Sequence, residues 1–392
     1  MTKNNNSLIF WCGAILNHKG LKRYNGETPA ASQWSRGLLN GLIQSKVDVK
    51  VFAPIWDSYF PKGTLVPNNS SCLESNFDQT EIPYINLPYL RTESVALSLY
   101  YKLENSIKEK KPYAILNYNT YPHYCKALKK IKLKYPEIKW INIILDLDDP
   151  LKDNWSKFLK DTEGSDGSVF LSWWGFEHAP IRNKLHLDGG WDGLLPENIT
   201  PITPIFLYAG KFAKYGGIQD IIKSIQSYPR QNVIFEFYGK GRCRELEELA
   251  KYDNRIQIKG FVSDEELDEG CKRATAFLSP RETEFQGTRM IFPSKILFYA
   301  KYQKPIISPT LPGLSSDYDS VLIRVANNSV QQWIDSMESV VELTFSQRNQ
   351  LKSKFQDLLT KKHWNAQAKN LKKFILQEPQ NQQETYTYGK IN

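Results

Sequence analysis

Short apolar runs alternate with amphipathic stretches of helical length along almost the whole chain, and few folds accept that pattern. Leu8–Ala14, Val47–Ala53, Tyr113–Asn117 and Trp140–Leu145 are too short for buried helices. Between them, Pro29–Ser45, Ser94–Lys108 and Tyr124–Tyr135 repeat at helical spacing. Pro29 suits a first helical turn, where no backbone N–H is needed. Strands that are apolar on both faces and separated by helices form a parallel, doubly wound sheet. Residues 57–80, rich in Asn, Ser and Pro, read as irregular.

The alternation stops at Pro196–Pro204, a segment with three prolines and few apolar residues, and then resumes. Ile205–Ala209, Val233–Tyr238, Ile256–Phe261, Ala276–Ser279 and Pro305–Ser308 read as strands. Helices are expected at Ile218–Ser227, Arg244–Lys251, Asp264–Arg273 and Ser294–Lys301, and late ones from about Val330 to Leu376. Ser263 is placed to cap Asp264–Arg273. The expected class is therefore α/β, with two Rossmann-like halves and a ligand between them at the carboxyl ends of the strands. Polar, Gln-rich Gln377–Asn392 reads as a frayed tail.

The chain has 392 residues, with 51 Lys and Arg against 42 Asp and Glu, for a net charge of +9. That balance favours anionic partners in general, but no nucleic-acid-binding module accompanies it. No apolar run approaches the roughly 20 residues of a membrane span. Leu8–Leu16, with only Lys3 ahead of it and no small-residue cleavage site behind it, reads as a buried strand rather than a signal peptide. Cys12, Cys72, Cys125, Cys243 and Cys271 are scattered and never at C-x-x-C spacing, which points to free thiols in a reducing cytosol and away from a metal cluster.

Three glycine- or cation-bearing turns follow strands of the second half. Gly210-Lys211, with Gly216-Gly217 opening the next helix, is the first, and Gly239-Lys240-Gly241 is the second. Backbone N–H groups of such turns hold a diphosphate, and a lysine adds full charge; a plain tight turn explains the glycines equally well. Arg244 stands where a third glycine would complete a dinucleotide fingerprint, so a nicotinamide cofactor is disfavoured. The third turn runs from Ser279-Pro280-Arg281 to Phe292-Pro293-Ser294-Lys295. It places Lys295 in a first helical turn, where a cation is unfavourable unless it shares an anion; a solvated lysine is the plainer reading.

In the first half, Asp146, Asp148 and Asp149 follow a strand, a setting that suits binding a sugar hydroxyl, binding a metal or accepting a proton; Asp146, nearest the strand end, is the best candidate, and capping is the plainer role. His123 and His363 have no spaced partners and read as structural or exposed. Lys126, Lys129, Lys130, Lys132 and Lys134 cover a helix whose apolar stripe is Tyr124, Leu128, Ile131 and Tyr135. This face suits an anionic membrane or a solvated surface. Trp11, Trp34, Trp56, Tyr59 and Tyr121 suit either a core or a sugar ring, and spacing does not distinguish the two.

Taken together, these motifs resemble glycosyltransferases of family 4, which have the GT-B fold. Gly210-Lys211 with Gly216-Gly217-Ile218 is similar to that family's glycine-basic turn, and Ile258-Lys259-Gly260-Phe261-Val262 with Glu265-Glu266-Leu267 to its G-x-V segment and helix. Phe292-Pro293-Ser294-Lys295 with Tyr299-Ala300 and Lys304-Pro305-Ile306-Ile307 resembles a signature of polysaccharide-building members. Gly26 matches a glycine loop near the donor phosphates, Gly189-Gly190-Trp191-Asp192 a turn before the linker, and His363-Trp364 the segment that crosses back. In two places the sequence departs from the family. Met290 and Phe298 occupy the positions of paired glutamates, the second of which binds the donor ribose, and Gly216 replaces a lysine.

The resemblance implies two Rossmann-like domains facing across a cleft. Residues 1–200 would form the acceptor side, 201–360 the nucleotide-sugar side, 361–376 a helix returning to the first, and 377–392 a flexible tail. It implies retaining transfer of a sugar from a nucleotide-sugar donor to a glycan or lipid-linked acceptor, with no metal and no separate cofactor. Asp146, Lys211 and Lys295 are the catalytic candidates, and Gly26, Gly210, Gly239, Arg281 and Ser294 the donor-binding ones. The expected location is the cytoplasm, at a membrane surface if the lysine helix faces one. Phe298 also leaves open a weakened GT-B protein that binds a glycan or partner and transfers nothing.

Overall fold

The computed structural model describes residues 7–17, 29–67, 70–212, 216–281, 283, 286–326 and 328–376. Gly26, Lys214, Glu282, Glu284 and the tail 377–392 lie outside them. Among the described residues, the first half holds seven parallel strands, β1 (Ser7–Cys12), β2 (Val47–Ala53), β3 (Asp78–Glu81), β4 (Ala114–Tyr118), β5 (Lys139–Ile144), β6 (Gly167–Phe170) and β7 (Lys184–His186). Their order is β3-β2-β1-β4-β5-β6-β7. The second half holds six: β8 (Ile205–Ala209), β9 (Ile234–Tyr238), β10 (Ile256–Gly260), β11 (Ala276–Leu278), β12 (Ile306–Pro309) and β13 (Leu322–Val325), in the order β10-β9-β8-β11-β12-β13. Each sheet reverses its strand order once, between β1 and β4 and between β8 and β11. A crevice opens beyond the carboxyl ends of the strands at such a reversal.

Helices cover both sheets: α1 (Pro29–Gln44), α2 (Leu90–Glu109), α3 (Pro122–Lys134), α4 (Ser156–Thr162) and α5 (Trp173–His178) in the first half, and α6 (Ile218–Gln226), α7 (Arg244–Leu249), α8 (Asp264–Arg273) and α9 (Lys295–Ala300) in the second. The chain ends in α10 (Val330–Val341), α11 (Phe345–Lys361) and α12 (Trp364–Leu376). Ser263 caps α8 by accepting from the Glu266 N–H. Thr344 and Gln347 form a reciprocal capping box on α11.

Residues 57–80 are not wholly irregular, because their end forms edge strand β3. A strand paired on one side needs little apolar surface, so its sequence, DQTE, carries no strand signal. The strands β6, β7 and β13, of three or four residues each, are likewise not among the expected strands. Helix α2 starts four residues before Ser94, since Leu90, Leu97 and Tyr101 face solvent and blur the apolar stripe. All five cysteines are buried free thiols.

The lysine face of α3 is not an open basic surface. Lys126 pairs with Glu93 and Lys134 with Glu104, both on α2. Lys129 reaches Glu163 at 3.5 Å and Lys132 reaches Asp166 at 2.7 Å. These acids tie α3 to its neighbours and offset most of the charge that a membrane would attract.

Helix α12 lies on the first half. Trp364 meets Trp34 edge to face with ring centroids 5.8 Å apart, and a side chain at Gly37 or Gly190 would collide with the Trp364 indole. Lys372 donates to the Ser45 carbonyl and Lys139 to the Ile375 carbonyl, each at 2.8 Å. At the break between α11 and α12, buried Asp188 receives Lys362 Nζ at 2.9 Å, the Tyr318 hydroxyl at 2.8 Å and Gln367 Nε2 at 3.2 Å. Asp188 follows β7, Tyr318 follows β12, and Lys362 and Gln367 flank the return. One carboxylate therefore joins both halves to the crossover.

Candidate active site

At the reversal of the second sheet, the turns after β8, β9 and β10 are laced together. Gly210 N–H donates to the Tyr238 carbonyl at 2.8 Å, Phe212 N–H to Lys240 at 3.0 Å, and Gly239 N–H to Gly260 at 2.7 Å. Gly239 has φ +151°, and a side chain there would strike the Gly210 carbonyl. Gly217, at φ +71°, backs onto the main chain of Arg281 after β11, where an added Cβ would lie 2.6 Å from the Arg281 nitrogen. Two glycine turns and the Arg281 loop thus converge where the strand order reverses.

Lys295 reaches into this convergence. Its ammonium fills the space beside Gly210 and lies 4.7 Å from the centre of the Tyr208 ring. The ring is fixed in turn, because the Tyr208 hydroxyl donates to the Lys211 carbonyl at 2.8 Å. No acid among the described residues pairs with Lys295. Desolvation, with the Arg281 guanidinium nearby, lowers its pKa to about 8. Helix α9, which Lys295 opens, is only six residues long. The unfavourable setting of this cation therefore comes from burial and Arg281 rather than from a long helix dipole.

At the reversal of the first sheet lies a cleft of about 350 Å³, lined on the β1 side by Gly13, Ala14 and Ala31. Trp56, Tyr59, Tyr118, Tyr121 and Tyr124 supply its aromatic surface, and Arg91, His123 and Asp146 its ionisable groups. Asp146 follows β5, with its N–H held by Asn119 Oδ1 at 3.1 Å. Desolvation raises its carboxyl above the usual range. His123 is 8% exposed and packed by Trp56, Tyr121 and Tyr124, with ring centroids 4.8, 5.7 and 4.2 Å away. Burial holds its pKa down to about 3, so the imidazole is neutral. Its Nε2 is buried and has no hydrogen-bond partner among the described residues; Trp11 Nε1, which faces Gly13, and Arg91 Nε share that condition. Leaving such an atom unpaired costs about 1–3 kcal/mol.

No protein-family model matches the chain, and no curated protein sequence matches it. Solved structures do match. A glycosyltransferase from Rickettsia africae superposes with a TM-score of 0.65 at 14% identity, covering 96% of this chain and 100% of that one. The apo lipopolysaccharide outer core galactosyltransferase WaaB gives 0.64 at 14%, covering 94% and 99%. Anabaena HepE, solved in complex with UDP and glucose, gives 0.62 at 11%, covering 94% and 98%. The fold is GT-B. Similarity over nearly the full length of both chains, through two sheets and the returning helix, leaves no room for a single Rossmann unit with an unrelated appendage.

Within this GT-B frame, Gly210, Gly239, Arg281 and Lys295 come together at one reversal and Asp146 lies at the other. Lys211 contributes a carbonyl to Tyr208, and its side chain is exposed. Ser294, a donor-binding candidate, is exposed, has helical dihedrals and makes no capping hydrogen bond. Met290 is buried against Gly175 and Phe170 of the first half, where a carboxylate would have no partner. Phe298 packs on Tyr299 and Tyr302 and carries Lys301 Nζ over its ring at 4.9 Å. Trp11 and Trp34 belong to the core, whereas Trp56, Tyr59 and Tyr121 line the cleft. His123, which reads from the sequence as structural or exposed, and Arg91, which no motif singles out, both line the cleft. The aromatic string Tyr121-Pro122-His123-Tyr124 directly after a strand at the reversal was the available signal for the first; nothing local marked the second.

Proposed function

We propose that the chain is a glycosyltransferase that moves a sugar, with retention, from a nucleotide-sugar donor to a hydroxyl of a glycan or lipid-linked acceptor. The observation that carries this reading is Lys295, a cation without an acidic partner among the described residues, held beside Gly210 and near Arg281. A departing diphosphate needs fixed positive charge in a water-poor site as an oxocarbenium-like centre develops. Gly210 makes room for the Lys295 ammonium, and Gly239 lets the turns after β8 and β9 pack closely enough to hold it there. The leaving phosphate takes the acceptor proton, and Asp146 orients a hydroxyl. Residues 1–200 then carry the acceptor and 201–360 the donor, with 361–376 fixing one half to the other. The nucleotide sugar is a substrate, and the reading needs no further cofactor.

Thermal-shift titration with a panel of nucleoside diphosphates and nucleotide sugars tests this reading, followed by a donor-hydrolysis screen that needs no known acceptor. Stabilisation by one nucleotide together with hydrolysis of its sugar supports it, and silence from every nucleotide removes it. Phe298, apolar where the resemblance places a ribose-binding carboxylate, favours a second reading in which the protein binds and does not transfer. Nucleotide binding without hydrolysis or transfer would select that one.

A further inference from the structure

Helix α9, which places the Lys295 cation, also builds the wall next to it. Residues 295, 298 and 299 are three and four apart and share one face of the helix. That face is turned to the end of β8. The Lys295 ammonium fills the space beside Gly210, and the Tyr299 hydroxyl accepts from the Ala209 N–H at 2.9 Å and donates to the Ala209 carbonyl at 3.3 Å. Tyr299 is wholly buried by this contact, whereas Phe298 keeps part of its ring exposed. Phe298 therefore stands at the margin of the crevice, about one helical turn, roughly 5 Å, along the axis from the cation.

The flanks of this wall distinguish the two ends of a nucleotide sugar. Leu297 faces the first half, since a Cβ added to Gly189 would lie 2.7 Å from its Cδ1. The transferred sugar has to point that way to meet an acceptor. Phe298 turns from it toward Tyr302, with ring centroids 5.8 Å apart, and toward Lys301, whose Nζ lies 4.9 Å from its ring centre. The pentose, joined to the diphosphate through one CH₂, lies on this side. Its hydroxyls meet a phenyl ring, which offers them no acceptor. The carboxylate that Tyr302 and Lys301 hold, Asp268 on α8, is already engaged by the Tyr302 hydroxyl at 2.6 Å, Lys272 Nζ at 2.9 Å and Lys301 Nζ at 3.3 Å.

We infer that the donor site does not read the 2′-hydroxyl of the nucleotide, and takes 2′-deoxyribonucleoside diphosphate sugars at least as well as their ribose counterparts. A site that hydrogen-bonds a hydroxyl rejects the analogue lacking it by orders of magnitude, whereas an apolar wall discriminates weakly. The inference rests on the transferase reading for the place of the diphosphate. Phe298 sets the specificity: it meets the pentose and no reacting atom.

Calorimetric titration of the full chain with UDP, ADP, GDP and CDP, each beside its 2′-deoxy form, tests this. For the base that binds, the deoxy form should bind as tightly as the ribose form or up to about tenfold more tightly. Phe298→Glu supplies an acceptor and should reverse the order, favouring the ribose form by about tenfold or more. Phe298→Gln supplies an uncharged one and should move the ratio the same way. The ratio is the readout, because a carboxylate near the diphosphate weakens both forms alike. A wild-type preference of about tenfold or more for the ribose form, or a ratio that neither variant moves, would overturn the assignment and leave the transferase reading in place. Failure of every nucleotide to bind would remove the transferase reading and this inference with it.

Discussion

The Lys295 ammonium lies against the Cα of Gly210, in the volume that any side chain at position 210 would occupy. A glycine after β8 therefore fixes where a cation on α9 can rest. Gly210→Ala should displace Lys295 and weaken nucleoside diphosphate binding without unfolding the chain. Lys295→Ala should lower donor turnover by about 10²–10³-fold, the loss typical of one key electrostatic donor. Rates within a fewfold of wild type would place the diphosphate elsewhere.

The same lysine sets a basic limit on binding. Its pKa, lowered to about 8, leaves it charged at neutrality and neutral as pH rises through that value. A diphosphate favours the charged form, so affinity should hold below pH 8 and then fall by up to about tenfold per pH unit. Calorimetric titration from pH 7 to 10, with Lys295→Arg as the variant that stays charged, measures the limb. A flat profile in the wild type would exclude Lys295 from the site.

His123 imposes an acidic limit on stability. Its folded pKa of about 3 lies below the ordinary histidine value of 6.5, so between these values the unfolded chain binds the extra proton. Stability is then fully present above pH 6.5 and declines toward pH 3, by up to about 1.4 kcal/mol per pH unit. The denaturant midpoint of wild type should fall relative to that of His123→Phe as pH is lowered from 7.5. A constant difference would mean that the histidine is not buried neutral.

Asp188 is 1% exposed and holds Lys362 Nζ at 2.9 Å. Lys362→Met strands that carboxylate and should cost about 3–5 kcal/mol. Adding Asp188→Asn should recover much of the loss, because no charge is then left buried. Chemical denaturation of the single and double variants measures the coupling, and a double variant no more stable than Lys362→Met would refute it.

Much of the architecture was legible in order along the chain. Apolar runs such as Leu8–Ala14 and Ile205–Ala209 announce buried parallel strands, because a strand covered on both faces has no polar side to show. The glycines after β8 and β9 were legible for a similar reason, since close backbone approach tolerates no Cβ. Edge strand β3 was not legible, nor were the acids that neutralise the α3 lysines, which come from α2 and from the segments around residues 163 and 166.

The sequence by itself determined the two-sheet class and the short list of glycines and cations that follow strands. Local propensity and apolar periodicity act over a few residues, and those features need nothing longer. Only the tertiary structure decided that Lys295 meets Gly210, that Tyr121 and Trp56 line a cleft while Trp11 and Trp34 fill a core, and that His123 Nε2 is buried without a partner. Each of these depends on which strands become neighbours at a sheet reversal. That choice is made by long-range packing, and a linear pattern holds no record of it.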